Sequence, residues 1–494
     1  DPQLTRLHAV LTSPAVQSLL RLHPNELAIE SGVIPPEWKE WPNWSKDTPR
    51  GWLELVHYYM TPLAPIPSSL RALLEAIRGA QLPRQAITLD VRPVMKETGM
   101  SPKKAHEVFR MVAYVLEIIK FNEWDISSLR MVDVGAGQGY LTRALKAQLP
   151  QTRILALDAD EAQTIGAQRW EERLLPPSSE ENPSITHKTI HITPENLFAT
   201  IDEWISEGLL KETQEEIPVL LIGLHACGSL TPDVIRTFSG WRPGGKPWRF
   251  AAAVVVGCCY NLMNPDDFPL SRHMQSLSPL IDIPTSAYHL AAQIPTQWLT
   301  SLSPPSPSPS VEMALRKVTW RALLGRKLQR LQGHSTSALS ATVVNINLTP
   351  GRQLPWSRLP VVKVQNFDQE EVGTGATPAM RRLGRLRDHA YQDWDTFLDV
   401  AGKKMGVKFA NDAEGQERDA HMERLLEVVH TLRCLIGPVV ESAIILDRLA
   451  WIEENLGSDA HREMRAEIVN LFDQATGSGR NIAIVIAPSI PSLS

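Results

Sequence analysis

A short apolar run, Arg130-Met131-Val132-Asp133-Val134, breaks into Gly135-Ala136-Gly137-Gln138-Gly139, and a helical pattern follows. Glycines set directly after a strand let the backbone turn sharply and bring a helix N-terminus close to a ligand. The surrounding pattern narrows the fold further. Residues 154–158 read as a second strand, 186–192 as a third, 219–224 as a fourth and 251–257 as a fifth, with helical stretches between. Strands alternating with helices predict an α/β fold with a parallel, doubly wound, Rossmann-like sheet.

The flanks are organised differently. Residues 1–99 hold Trp38, Trp41, Trp44 and Trp52 among many prolines and read as an N-terminal helical region, with a helical patch at 70–77. Ser101 is placed to cap a helix that Pro102 opens. Val108, Met111, Val115 and Ile118 continue it at helical spacing. Residues 100–265 form the five-stranded core. Beyond it the regularity fails. Residues 304–309 (PPSPSP), 333–341 and 369–380 read as loops, and helical patterns return at 391–405 and 421–456. Residues 466–472 and 481–487 are two apolar strands joined by Gly477-Ser478-Gly479. The pattern predicts a large, mostly helical insertion over 266–430. A C-terminal helix and strand hairpin, 431–494, then returns to complete the sheet.

The cofactor is the next question. The loop reads Gly-x-Gly-x-Gly with Asp133 two residues ahead of it, which differs from the Gly-x-Gly-x-x-Gly of dinucleotide binders. Asp158 closes the next strand, where a carboxylate accepts hydrogen bonds from both hydroxyls of a ribose. Both features favour S-adenosyl-L-methionine over NAD; a turn made only for packing is the bland alternative. The expected cofactor-binding residues are Asp133, Gly135, Ala136, Gly137, Gln138, Gly139, Asp158, Ala159, Leu224 and His225. Lys104 and Glu107 join them, because the helix before the first strand commonly folds over the cofactor in such a sheet. An ordinary solvated helix start would explain Lys103, Lys104, His106 and Glu107 equally well.

Ligands of doubly wound sheets sit outside the carboxyl ends of the strands. The fourth strand ends in Leu224-His225-Ala226-Cys227-Gly228 and the fifth in Gly257-Cys258-Cys259-Tyr260-Asn261, so the two segments are expected to converge. Three readings stay open. Cys258 or Cys259 acts as a nucleophile, with Cys227 assisting. Alternatively, His225 and the three cysteines bind zinc, against which stand the vicinal spacing and the lack of a Cys-x-x-Cys pair. In the third reading the thiols only shape the pocket. No metal is assigned. His225, Tyr260 and Lys104 are the candidate bases for an acceptor that must lose a proton.

These residues resemble the methyltransferase-like protein 25 family. The resemblance rests on residues 100–108 (MSPKKAHEV), the glycine loop, LHACG at 224–228 and GCCYNL at 257–262. It extends to FPLS at 268–271, ESAIILDR at 441–448, and Phe472-Asp473 with Gly479-Arg480-Asn481. It runs from about residue 90 to the C-terminus, with poorly matching insertions between. It implies a class I methyltransferase sheet and S-adenosylmethionine as methyl donor. The family pattern Ser-Pro-Arg-Asn reads Ser478-Gly479-Arg480-Asn481 here, and Ala226 stands where a hydroxyl residue is common. A histidine-x-cysteine-glycine motif followed by paired cysteines is also similar to certain tRNA ribose 2′-O-methyltransferases.

The expected function is methylation of RNA, at a ribose or base of tRNA or rRNA. A protein Arg, Lys, His or Cys side chain is the second reading, and a non-catalytic scaffold the third. Net charge is −5, so an RNA partner would need local basic patches. Arg316-Lys317, Arg321, Arg326-Lys327 and Arg330 form one such stretch; Arg381-Arg382, Arg385 and Arg387 form another. Trp298 and Trp320 are candidates for stacking on bases, or for core packing. No Asn-Pro-Pro-Tyr motif follows the fourth strand, which disfavours amino-group methylation of adenine or glutamine. Four cysteines in 494 residues do not make a disulfide framework, so a reducing compartment, cytoplasmic or nuclear, is expected. No run of about 18 apolar residues is read, so no membrane span is expected. No secretory signal is read either. Asp1 in place of Met is what a trimmed N-terminus would show.

Overall fold

The computed structural model describes residues 2–29, 34–63, 65–95, 97–179, 182–207, 216–242, 246–300, 306–335, 382–409, 418–456, 463–476 and 478–492. Among the sequence expectations, Pro304 and Pro305, the loop at 369–380, residues 336–341, Arg381 and Gly477 lie outside that set. Two compact units are present. The first comprises Asp1–Thr12, Ala80–Gln297 and Gly437–Ser494; the second comprises Ser13–Gly79 and Trp298–Ile436. These limits cut across the divisions read from the sequence. The reason is visible in the second unit, where Trp52, Leu53 and Val56 share a core with Leu315.

The first unit is built on a seven-stranded sheet. Its strands are β1 (Arg130–Val134), β2 (Arg153–Asp158), β3 (Thr186–Thr189), β4 (Ile217–Cys227), β5 (Trp248–Cys258), β6 (Arg465–Asn470) and β7 (Ile482–Ala487). They lie in the order β3-β2-β1-β4-β5-β7-β6. Strands β1 to β5 are parallel. β7 runs antiparallel to both β5 and β6, so the C-terminal hairpin closes the sheet as expected. The third strand ends earlier than read. The fourth and fifth run on to Cys227 and Cys258, because burial on both faces favours one long apolar run.

Side chains alternate between the two faces. Met131, Ile154, Leu220, Ile222, Val254 and Val485 pack on one side with Val108, Met111, Val112 and Val115 of α1 (Pro102–Phe121) and Leu141 and Leu145 of α2 (Tyr140–Gln148). Val132, Leu155, Leu221, Val255 and Ile484 face the other way. They meet Leu197 and Ile201 of α3 (Pro194–Glu207), Ile235 and Phe238 of α4 (Leu230–Gly240), and Ile452 and Leu456 of α5 (Gly437–Leu456). One sheet with helices on both faces is what the alternating pattern predicts. The Ser101 side chain accepts a hydrogen bond from the Lys104 amide and so caps α1, which fixes where Lys104 and Glu107 stand.

One stretch is longer and more apolar than the sequence reading allowed. Residues Ala420–Leu456 hold an 18-residue window of mean hydropathy 1.5, long and apolar enough to cross a membrane, and 94% of it is buried inside the protein. Apolarity here serves packing in a folded core.

Candidate active site at the strand ends

The glycine loop rests on the end of β2. The Gly135 and Ala136 amides both donate to the Leu157 carbonyl. The Gly137 amide donates to Asp158 Oδ2 at 2.7 Å, and the Asp160 amide to Oδ1 at 2.9 Å. Gly137 has φ +56°, and a side chain added there would meet nothing within 4 Å. The loop therefore faces open space over a left-handed residue, beside an acid at the next strand end. That leaves room for a ribose and its substituents, so the residues fit S-adenosylmethionine. Ala159 is exposed at the same edge. The Gln138 side chain is tied to Gln163 at 2.8 Å. Asp133 lies beneath the loop, 1% exposed, and accepts from Thr142 Oγ1 at 2.6 Å. Burial pushes its carboxyl up to about 6, opposed by that hydrogen bond and reinforced by the charge of Asp158. Leu224 is buried in the core on the α1 face of the sheet.

A second group gathers at the end of β4. Lys104 Nζ lies 2.6 Å from His225 Nε2, and Glu107 Oε2 lies 3.1 Å from the same nitrogen. Lys104 and Glu107 are also paired at 3.3 Å, and Ser478 Oγ donates to Glu107 Oε1 at 2.9 Å. Burial would raise the Glu107 carboxyl. The hydrogen bond and charge of His225, with the charges of Lys104 and Lys103, outweigh it and hold the group down at about 2. Neighbouring His106 points elsewhere and accepts from the Asp473 amide at 3.2 Å. The solvated-helix reading thus fails for Lys104 and Glu107, while Lys103 stays half exposed.

The three thiols converge. Cys227 and Cys258 are register partners on adjacent strands, and their Sγ atoms lie 2.9 Å apart. With Cys259, all three sulfurs fall within 4.8 Å of one another, and all are free. Vicinal residues on a strand point to opposite faces, which is why the pair looked poorly spaced for a metal. Cys259 escapes that rule by leaving the strand in the left-handed region, φ 43°. Within the trio, Cys259 is the thiol held lowest. Hydrogen bonds from Cys227 and Cys258 lower it to about 3 against burial, with help from Arg480 and His225. The bond from Cys258 lowers Cys227, but the interaction with Cys259 and burial outweigh it and push Cys227 up to about 12; Cys258 is raised as well.

Tyr260 is not placed to act as a base. It is 1% exposed, its hydroxyl donates to Glu441 Oε1 at 2.9 Å, and burial drives it well above the ordinary phenol range. Glu441 is held in turn by Arg84 at 2.6 Å. Sequence reasoning missed Arg480 as a site residue. Its charge reaches Cys259, yet Nε and Nη1 are buried without a hydrogen-bond partner among the described residues. The family motif around it was the signal that could have found it. Where that motif carries proline, a Cβ on Gly479 would stand 1.7 Å from Ile294 Cδ1. Ile294 fills the space a ring would need.

Much of the first basic stretch is engaged within the second unit, whereas Arg330 and, in the second stretch, Arg382, Arg385 and Arg387 are exposed. Lys317 pairs with Asp388 at 2.7 Å and Arg326 with Asp419 at 3.0 Å, while Arg316 and Arg321 hydrogen-bond Tyr391. Trp320 is 2% exposed, and Trp298 packs with Trp52 and Leu315. A cavity of about 510 Å³ in this unit is lined by Trp52, Trp320, Trp394, Arg424 and Glu427 among others. None of the strand-end residues lines it.

Sheet order, closing hairpin and glycine loop together define an S-adenosylmethionine-dependent methyltransferase fold. Residues 103–266 match a family model described as a methyltransferase domain. The chain is distantly homologous to proteins named probable methyltransferase-like protein 25. It is 21% identical to the one from Homo sapiens over 56% of this chain and 39% of that protein. With the one from Mus musculus it is 22% identical over 65% of this chain and 45% of that protein. The chain thus spans less than half the length of these relatives. Among solved structures, a plantazolicin methyltransferase in complex with SAH matches at 11% identity and a TM-score of 0.18, over 44% of this chain and 62% of the other. A coclaurine N-methyltransferase bound to N-methylheliamine and SAH matches at 14% and 0.19, over 66% and 85%. No residue role is carried over from either.

Proposed function

We propose that the protein transfers a methyl group from S-adenosylmethionine to an acceptor that gives up a proton at His225. The observation that carries this reading is His225 Nε2, set between Lys104 and Glu107 at the strand ends beside the glycine loop. When bound, S-adenosylmethionine supplies a methyl group on a positively charged sulfur. Asp158 would hold the ribose, and the loop amides around Gly137 would face the rest of the molecule. Lys104 and the Glu107 carboxylate both engage Nε2 and so hold the ring, which leaves Nδ1 as the ring nitrogen that takes the acceptor's proton. The remaining catalysis comes from holding the acceptor in line.

For the acceptor, an RNA ribose hydroxyl or base is the first reading, supported by the His-x-Cys-Gly likeness; a protein side chain is the second. The engaged arginines of the helix Pro309–Ser335 lend RNA no support. The test is transfer of tritium from labelled S-adenosylmethionine into extract from cells lacking the protein. Label released by ribonuclease supports RNA, and label released only by protease moves the proposal to protein. His225→Ala is expected to slow transfer roughly 10²-fold while leaving cofactor affinity within about threefold. A wild-type protein that binds no S-adenosylmethionine in calorimetry would overturn the reading in favour of a scaffold.

A further inference from the structure

We propose that Cys227, Cys258 and Cys259 form a three-thiolate site for a zinc ion at the ends of β4 and β5. Geometry carries the proposal. Zinc–thiolate bonds of about 2.3 Å in tetrahedral array set ligand sulfurs about 3.8 Å apart. Here the three sulfurs all lie within 4.8 Å of one another, with those of Cys227 and Cys258 at 2.9 Å, so small side-chain rotations reach that spacing. Two of the ligands are fixed by strand register, since Cys227 faces Cys258 across the ladder. The third is delivered by a backbone conformation that side-chain-bearing residues rarely adopt, φ 43° at Cys259. Such strain persists where the surrounding structure gains from the side chain's position.

The surroundings suit a metal–thiolate centre. No disulfide consumes the sulfurs. Three thiolates around a divalent ion leave one net negative charge. Arg480 acts electrostatically on this cluster, and its Nε and Nη1 are buried with no hydrogen-bond partner among the described residues. A guanidinium with spare donors is what an anionic centre recruits. Only three protein sulfurs converge, so the fourth position falls to water or another ligand, as in zinc sites that keep an open coordination site. Binding releases the remaining thiol protons to solvent, one per protonated ligand, and involves no redox change.

The proposal is independent of methyl transfer, and its test reads metal alone. The full chain is reduced, stripped with chelator, loaded with zinc and desalted, and bound zinc is counted by mass spectrometry. One zinc per chain is expected for the wild type and for Cys434→Ser, whose thiol lies in the second unit. Cys227→Ser, Cys258→Ser and Cys259→Ser should each bind at least tenfold more weakly. Should a variant fail to fold, the wild type decides. Cobalt loading should give thiolate-to-metal charge-transfer absorption, and zinc should protect three thiols from alkylation. Wild-type protein that retains no zinc, or whose three thiols alkylate equally fast with and without it, overturns the site. Retention by the triple Cys→Ser variant overturns it too.

Discussion

Asp158 and Glu107 are both carboxylates near the glycine loop, yet their surroundings assign them different work. Asp158 spends one hydrogen bond per oxygen on the Gly137 and Asp160 amides, which leaves lone pairs on both oxygens for a ribose. Asp158→Ala should therefore weaken S-adenosylmethionine binding about 10²-fold or more, since two hydrogen bonds to a charged group are lost. Calorimetry giving unchanged affinity would remove the ribose assignment. Glu107 is instead a structural anion. Its folded-state pKa, about 2, lies below the ordinary value of 4.5. The stabilisation is therefore fully present above pH 4.5 and is lost as pH falls towards 2. It amounts to about 3 kcal/mol. Glu107→Gln should flatten that acid limb in denaturant melts; a variant curve parallel to the wild type would contradict it. The Lys104–Glu107–His225 group was only half legible in the sequence. The helix start and the strand end were each flagged, but nothing in the spacing brings Glu107 within 3.1 Å of His225. Arg480, Ser478 and Glu441 were legible only through the family motifs that carry them, because they arrive from segments more remote in the chain.

At the scale of elements, β1, β2, β4, β5 and β7 were legible because each is largely an apolar run between turn residues; β3 and β6 are more polar and half exposed, and across the sheet only the strand ends shifted. The cysteine turn was not, because its geometry rests on one left-handed residue that propensity argues against. What keeps the turn tight is Gly228. It has φ +56°, and an added Cβ would lie 2.6 Å from the Leu262 carbonyl oxygen. Gly228→Ala combines a left-handed penalty with a backbone clash and should cost about 3 kcal/mol. Its effect should show as a lowered denaturation midpoint. A midpoint within error of the wild type would mean that the β4 and β5 ends separate freely. The helix Pro309–Ser335 taught the opposite lesson. Its basic residues read as an RNA surface, but Arg316, Lys317, Arg321 and Arg326 are engaged by acids and Tyr391, and Trp320 goes into the core, which leaves Arg330 exposed. Charge alone does not tell whether a partner lies inside or outside the molecule.

For the whole molecule, the buried acids give opposing dependences on pH. Glu107 contributes stability that appears above the ordinary carboxylate range. Asp133 and Glu427 act in the other direction: burial raises them to about 6 and about 7, so each withdraws stability as pH rises through those values. For Glu427 the charge of Glu423 adds to burial, while Arg418, Arg424 and Arg50 oppose it. Glu427→Gln should melt increasingly higher than the wild type as pH rises from 4.5 to 7. A constant difference across that window would show that Glu427 ionises normally.

The closing hairpin has a consequence for synthesis. β5 ends at Cys258, but its outer neighbour β7 begins only at Ile482. While the intervening residues emerge from the ribosome, the edge of an entirely apolar strand, Ala251 to Val256, has no pairing partner. An unpaired apolar edge is a template for other chains. A nascent chain of this protein thus depends on its last strands for solubility, and a message cut short before them yields a product that chaperones must hold or proteases remove.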